Sequence, residues 1–122
     1  VTAVLITSAM FGLVHAMNGL LTGDYLAAFS QALQATLFGV WIAALRLRLS
    51  SIWPVMLIHA LWDLGISLMV SGTAAGPAAI DGAAHPMTLS TFFLPALIQL
   101  PLFLYGVFLL RGLRHQPADP AV

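Results

Sequence analysis

The chain contains no cysteine, no glutamate and no lysine, and only 7% of its 122 residues are charged. Without cysteine there is no disulfide, no thiolate metal site and no cysteine nucleophile, and the redox compartment stays open. The groups that remain ionisable are Asp24, Asp63, Asp81 and Asp119, Arg46, Arg48, Arg111 and Arg114, and the histidines. A soluble domain would carry roughly 25% charged residues. With 61% hydrophobic residues and a mean hydropathy of +1.00, this is the composition of an integral membrane protein. The formal charges cancel, so net charge points to no particular partner.

A helix needs about 20 mostly apolar residues to cross a bilayer. Four windows qualify, residues 1–21, 26–45, 52–70 and 88–110. The expected fold is therefore all-α, a polytopic transmembrane bundle of four membrane-spanning helices. Gly23-Asp24 marks the first turn, residues 46–51 the second, and the Gly/Ala/Pro-rich stretch 71–86 a longer third loop. Ser50 or Ser51 can cap the third helix, and Pro54 falls in its first turn, so that helix starts near Ile52. Pro95 and Pro101 lie inside the last apolar run and free carbonyls for neighbours such as Gln99. Residues 1–114 read as a transmembrane domain and 115–122 as a disordered tail. The chain opens on Val1 with a span already under way, the pattern expected of a piece of something longer.

Arg46 and Arg48 in the second connection and Arg111 and Arg114 after the last helix fall on one side of a four-crossing bundle. By the positive-inside rule that side, with the C-terminus, is cytoplasmic. Trp41, Trp53 and Tyr105 suit an interfacial aromatic belt at the same level.

Charged side chains at mid-membrane cost at least ~2.5–3.5 kcal/mol each, so they face a bundle interior or a water-filled cavity. His59 and Asp63, four residues apart in "LIHALWDLG", share one helix face. The aspartate can hold the imidazole in one tautomer or stabilise its charged form; the plainer account is that the two merely satisfy each other. In the first span, "FGLVHAMN" places Phe11 and His15 on one face with Asn18 a turn further on. At about 1.5 Å per residue His15 and Asp63 lie at similar depths, ~20 and ~16 Å from their helix starts. His15, His59 and Asp63 are thus expected to converge near mid-membrane. Two histidines and a carboxylate suit either a zinc site with an open position for water or a metal-free site in which histidines position water and stabilise an oxyanion. His85 and His115 read as solvated loop residues. Gln31, Gln34 and Thr36 form a polar stripe on the second helix; interhelical hydrogen bonding is its plain reading, cavity lining the sharper one.

These residues resemble a known family, the CPBP intramembrane proteases of the CAAX-protease and bacteriocin-processing (ABI) group. "MFGLVHAMNG" resembles the family's second motif, phenylalanine followed four positions later by histidine, at Phe11 and His15. "RLRLSSIWPVMLIHALWDLG" resembles its third, histidine followed four residues later by Asn or Asp, at His59 and Asp63. The resemblance covers about the first 70 residues. It implies an intramembrane endopeptidase acting on membrane-associated or prenylated-type substrates, with His15 assisting water activation and His59 and Asp63 stabilising the oxyanion. It further implies no cofactor, with zinc on His15, His59 and Asp63 as the alternative. Its partners would be membrane lipids and a peptide or membrane-protein substrate, with no nucleic acid, and its location a bacterial plasma membrane. In the family a Glu-Glu-x-x-x-Arg motif activates water, and a chain without glutamate cannot contain it. The rival expectation is therefore a non-catalytic membrane protein, either an immunity or scaffold factor or a small proton-linked transporter subunit.

Overall fold

The computed structural model describes residues 1–72 and 88–111. The loop beyond Gly72, with Asp81 and His85, and the C-terminal residues, with Arg114, His115 and the expected tail, lie outside them. The described residues are helical apart from their turns: α1 (Thr2–Ala16), α2 (Asn18–Thr22), α3 (Tyr25–Leu49), α4 (Trp53–Gly72) and α5 (Leu89–Arg111). Three stretches, Thr2–Thr22, Tyr25–Leu49 and Phe92–Arg111, are long and apolar enough to cross a membrane, and α4 contributes a shorter apolar helix over Trp53–Leu68. Four spans were expected; the structure gives three long ones and this shorter one. The helices α1, α2, α3 and α5 form one unit and α4 belongs to a second.

The first unit is packed inside out relative to a water-soluble bundle. Its buried residues are mostly small, among them Ser8, Ala28, Ser30, Ala32, Ala35 and Ala44, while Leu13, Leu20, Leu21, Ile98 and Phe108 point outward. Small residues let membrane helices approach closely, and large apolar ones face lipid at no cost. A Cβ at Gly12 would fall on Thr36 Oγ1, and one at Gly39 would lie 3.2 Å from Ser8 Cβ. Residue numbers rise on α1 as they fall on α3, so the two helices are antiparallel. Across α3 and α5 they rise together: the Ser30 hydroxyl donates to the Phe92 carbonyl at 2.9 Å, and Gly106 lies against the Trp41 backbone. Thus α3 and α5 are parallel. Val4, Val40, Ala44 and Leu110 join the three helices in a core.

Local chemistry sets the turns. Gly23 closes α2 at φ 76°, a left-handed conformation open to glycine, with its N–H on the Gly19 carbonyl. Asp24 then caps α3, its Oδ1 accepting the Ala27 N–H at 2.9 Å. The first span is interrupted at Met17, where the Met17 and Leu20 N–H groups bond three residues back, to Val14 and Met17. The second expected span, α3, runs further than the sequence suggested, through both arginines to Leu49, because Arg48 has a partner: its Nε and Nη2 donate to the Leu109 carbonyl at 3.1 and 2.6 Å. Ser50, at φ 56°, then breaks the helix.

Candidate active site

His15 sits in the last turn of α1, half-buried. Its Nδ1 lies 2.8 Å from the Phe11 carbonyl oxygen. A carbonyl only accepts, so Nδ1 carries the proton, and in the neutral ring the lone pair is left on Nε2. The Phe11 ring meets the imidazole edge-on at a centroid distance of 4.6 Å. One spacing therefore does two things: the Phe11 backbone sets the tautomer of His15, and the Phe11 ring sets its tilt.

One turn on, the Asn18 Nδ2 donates to Gln31 Oε1 at 2.8 Å, tying α2 to α3. The pair lines an open cavity of about 370 Å³ together with Leu21, Thr22, Ala27 and Ala28. Sequence reading placed Asn18 beside His15 and Gln31 in the polar stripe, without joining them. The rest of that stripe bonds within its own helix: Gln34 Nε2 reaches the Ser30 carbonyl and hydroxyl at 3.3 Å, and Thr36 Oγ1 reaches the Ala32 carbonyl at 2.9 Å. Interhelical bonding thus describes Gln31 and not Gln34 or Thr36. Gln99, expected beside the carbonyls freed by the prolines of α5, is itself buried. Its Oε1 is buried with no partner among the described residues, and the hydroxyl that reaches a carbonyl there is that of Ser30.

In the second unit Pro54 falls in the first turn of α4, where its missing N–H is harmless, and the Met56 N–H makes an early helical bond to the Ile52 carbonyl at 3.0 Å. This helix brings His59 and Asp63 together, with Nε2 and Oδ2 3.4 Å apart. Both are open to solvent, their side chains 35% and 65% exposed. At that distance and exposure the contact is an electrostatic pairing, stronger when the imidazole is protonated. It holds the Nε2 edge of His59 towards a carboxylate. His15 belongs to the first unit, and each unit is described by itself.

The donor set bears on zinc. Catalytic zinc takes three protein ligands, and among the described residues neither unit by itself gathers three histidine or acidic side chains able to hold a metal ion. The second unit offers two, and His59 Nε2 already faces the carboxylate. No step is therefore routed through zinc.

Residues 1–65, more than half of the chain, match the protein-family model described as Type II CAAX prenyl endopeptidase Rce1-like. The match takes in Phe11, His15, His59 and Asp63. No curated protein and no solved structure matches the chain.

Proposed function

Because the chain belongs to the Rce1-like family of type II CAAX prenyl endopeptidases, we propose that it acts in intramembrane hydrolysis of peptide bonds, on membrane-associated substrates of the prenylated type. The observation that carries this reading is the pair of built histidines inside one family match: His15 with its tautomer set by Phe11, and His59 paired with Asp63. In this reading His15, His59 and Asp63 are the catalytic residues. The unprotonated Nε2 of His15 accepts a hydrogen bond from the attacking water and so orients it. Asp63 holds the His59 ring by its Nε2 edge, and the imidazole so placed stands beside the oxyanion of the tetrahedral intermediate. The mechanism uses no metal; in the family pattern a glutamate carboxylate activates the water, and none stands in these 122 residues. The end of the molecule bearing Arg46, Arg48 and Arg111 faces the cytoplasm of a bacterial cell.

The test is cleavage of a fluorescent prenylated peptide by the protein reconstituted in liposomes with its natural flanking sequence. His15→Ala and His59→Ala are each expected to lower kcat/KM by roughly 100-fold or more, with membrane insertion unchanged. Full activity in either variant overturns the role given to that histidine. One observation favours a second reading, a non-catalytic immunity or scaffold factor: the chain has no glutamate. That reading gains if the natural protein proves inactive and also tolerates both substitutions in its cellular role.

A further inference from the structure

The parallel course of α3 and α5 brings the C-terminal ends of both helices to one end of the first unit. That end carries Arg46 and Arg48 on α3 and Arg111 on α5. Arg48 gives two of its five N–H groups to the Leu109 carbonyl, which seats its guanidinium on the last turn of α5, two residues before Arg111. Arg46 and Arg111 are exposed, and among the described residues neither has an acidic partner. The acid of the first unit within the described residues, Asp24, caps the opposite end of α3. A helix of that length puts it on the order of 35 Å away, several screening lengths at physiological salt. The two helix termini together supply about one negative charge against three guanidiniums. Among the described residues a net positive charge is left at this end.

What lies beside them is apolar. Leu47, Tyr105 and Phe108 are exposed large side chains of the same two helix ends, with Tyr105 and Phe108 stacked at 6.5 Å. A partner matching this surface has a diffuse negative charge that guanidinium forks can grip and hydrocarbon directly attached to it. We propose that this end is a binding surface for anionic phospholipid, whose phosphate headgroups are held by Arg46, Arg48 and Arg111 and whose acyl chains lie beside the exposed Leu47, Tyr105 and Phe108. Arg48 has a double role there, capping α5 and lending its remaining donors to the headgroup. The proposal stands on the first unit alone and does not depend on peptidase activity.

Native mass spectrometry of the detergent-purified protein, titrated with phosphatidylglycerol or phosphatidylcholine, tests it. The expected result is preferential retention of phosphatidylglycerol that weakens as salt rises. Arg46→Gln and Arg111→Gln should each weaken it roughly fivefold, and the double variant about 25-fold, with helicity by circular dichroism unchanged. Arg48 is left intact because its loss would also uncap α5. Should the double variant lose helicity, the two single variants decide. Equal retention of the two lipids by the unaltered protein overturns the proposal, as does undiminished phosphatidylglycerol selectivity in the variants.

Discussion

At the scale of single residues, the informative position is Asp63, where the resembled motif takes either Asn or Asp. An ionised carboxylate accepts hydrogen bonds and cannot donate one, so Asp63 cannot itself hold an oxyanion; its action passes through His59, 3.4 Å away. Asparagine at this place would donate directly. Asp63→Asn should therefore retain peptidase activity in the reconstituted protein, whereas Asp63→Ala should lower kcat by roughly 100-fold, because the His59 ring beside the oxyanion is then no longer held. A proton-relay role makes the opposite forecast for asparagine, since an amide does not titrate. Loss of function in Asp63→Asn, measured alongside pH-dependent proton flux in liposomes, would favour the relay. His15 shows how far residue-level reading reaches. The four-residue spacing from Phe11 was visible in the sequence, but that the Phe11 carbonyl rather than its ring alone fixes the imidazole emerges only once the last turn of α1 is built.

At the scale of elements, boundaries follow whatever satisfies the end of each helix. Thr22, Gly23 and Asp24 form a self-contained turn: the Thr22 hydroxyl donates to the Asn18 carbonyl and accepts the Asp24 N–H, and Asp24 Oδ1 takes the Ala27 N–H. Asp24→Ala should cost about 1 kcal/mol and lower the thermal midpoint in detergent, while Asp24→Asn, which keeps an acceptor, should stay near the parent; equal midpoints for all three would remove the cap from the account. That turn was legible because every group in it is local in sequence. The end of α3 was not, because its arginine is held by the Leu109 carbonyl, 61 residues on. Trp41 is a similar case. As an aromatic near two arginines it suits the membrane interface, yet it packs edge-on against Phe38 at 5.5 Å with its Nε1 buried and unpartnered among the described residues. Trp53 and Tyr105, both exposed, fit the belt.

At the scale of the whole molecule, hydropathy made the helices legible but could not say which faces meet, because nearly every position is apolar. In a water-soluble bundle a hydrophobic stripe would answer that question; in a membrane the small residues answer it. Gly12 against Thr36, Ser8 against Gly39 and Gly106 against Trp41 set the two helix crossings of the first unit, and the spacing of Ser8 and Gly12 on α1 was the signal in the sequence that could have located one of them. Gly12→Leu should therefore force α1 away from α3, at about 1–3 kcal/mol or more for overpacking, and carry the Phe11–His15 turn with it. Gly65 on α4 is the control, since a Cβ there meets nothing among the described residues within 4 Å, and Gly65→Ala should be neutral or stabilising through helix propensity. Thermal melts in detergent separate the two. If Gly12→Leu melts with the parent, the α1–α3 crossing is not held by close approach at glycine, and the placement of His15 must rest on the Asn18–Gln31 bond instead.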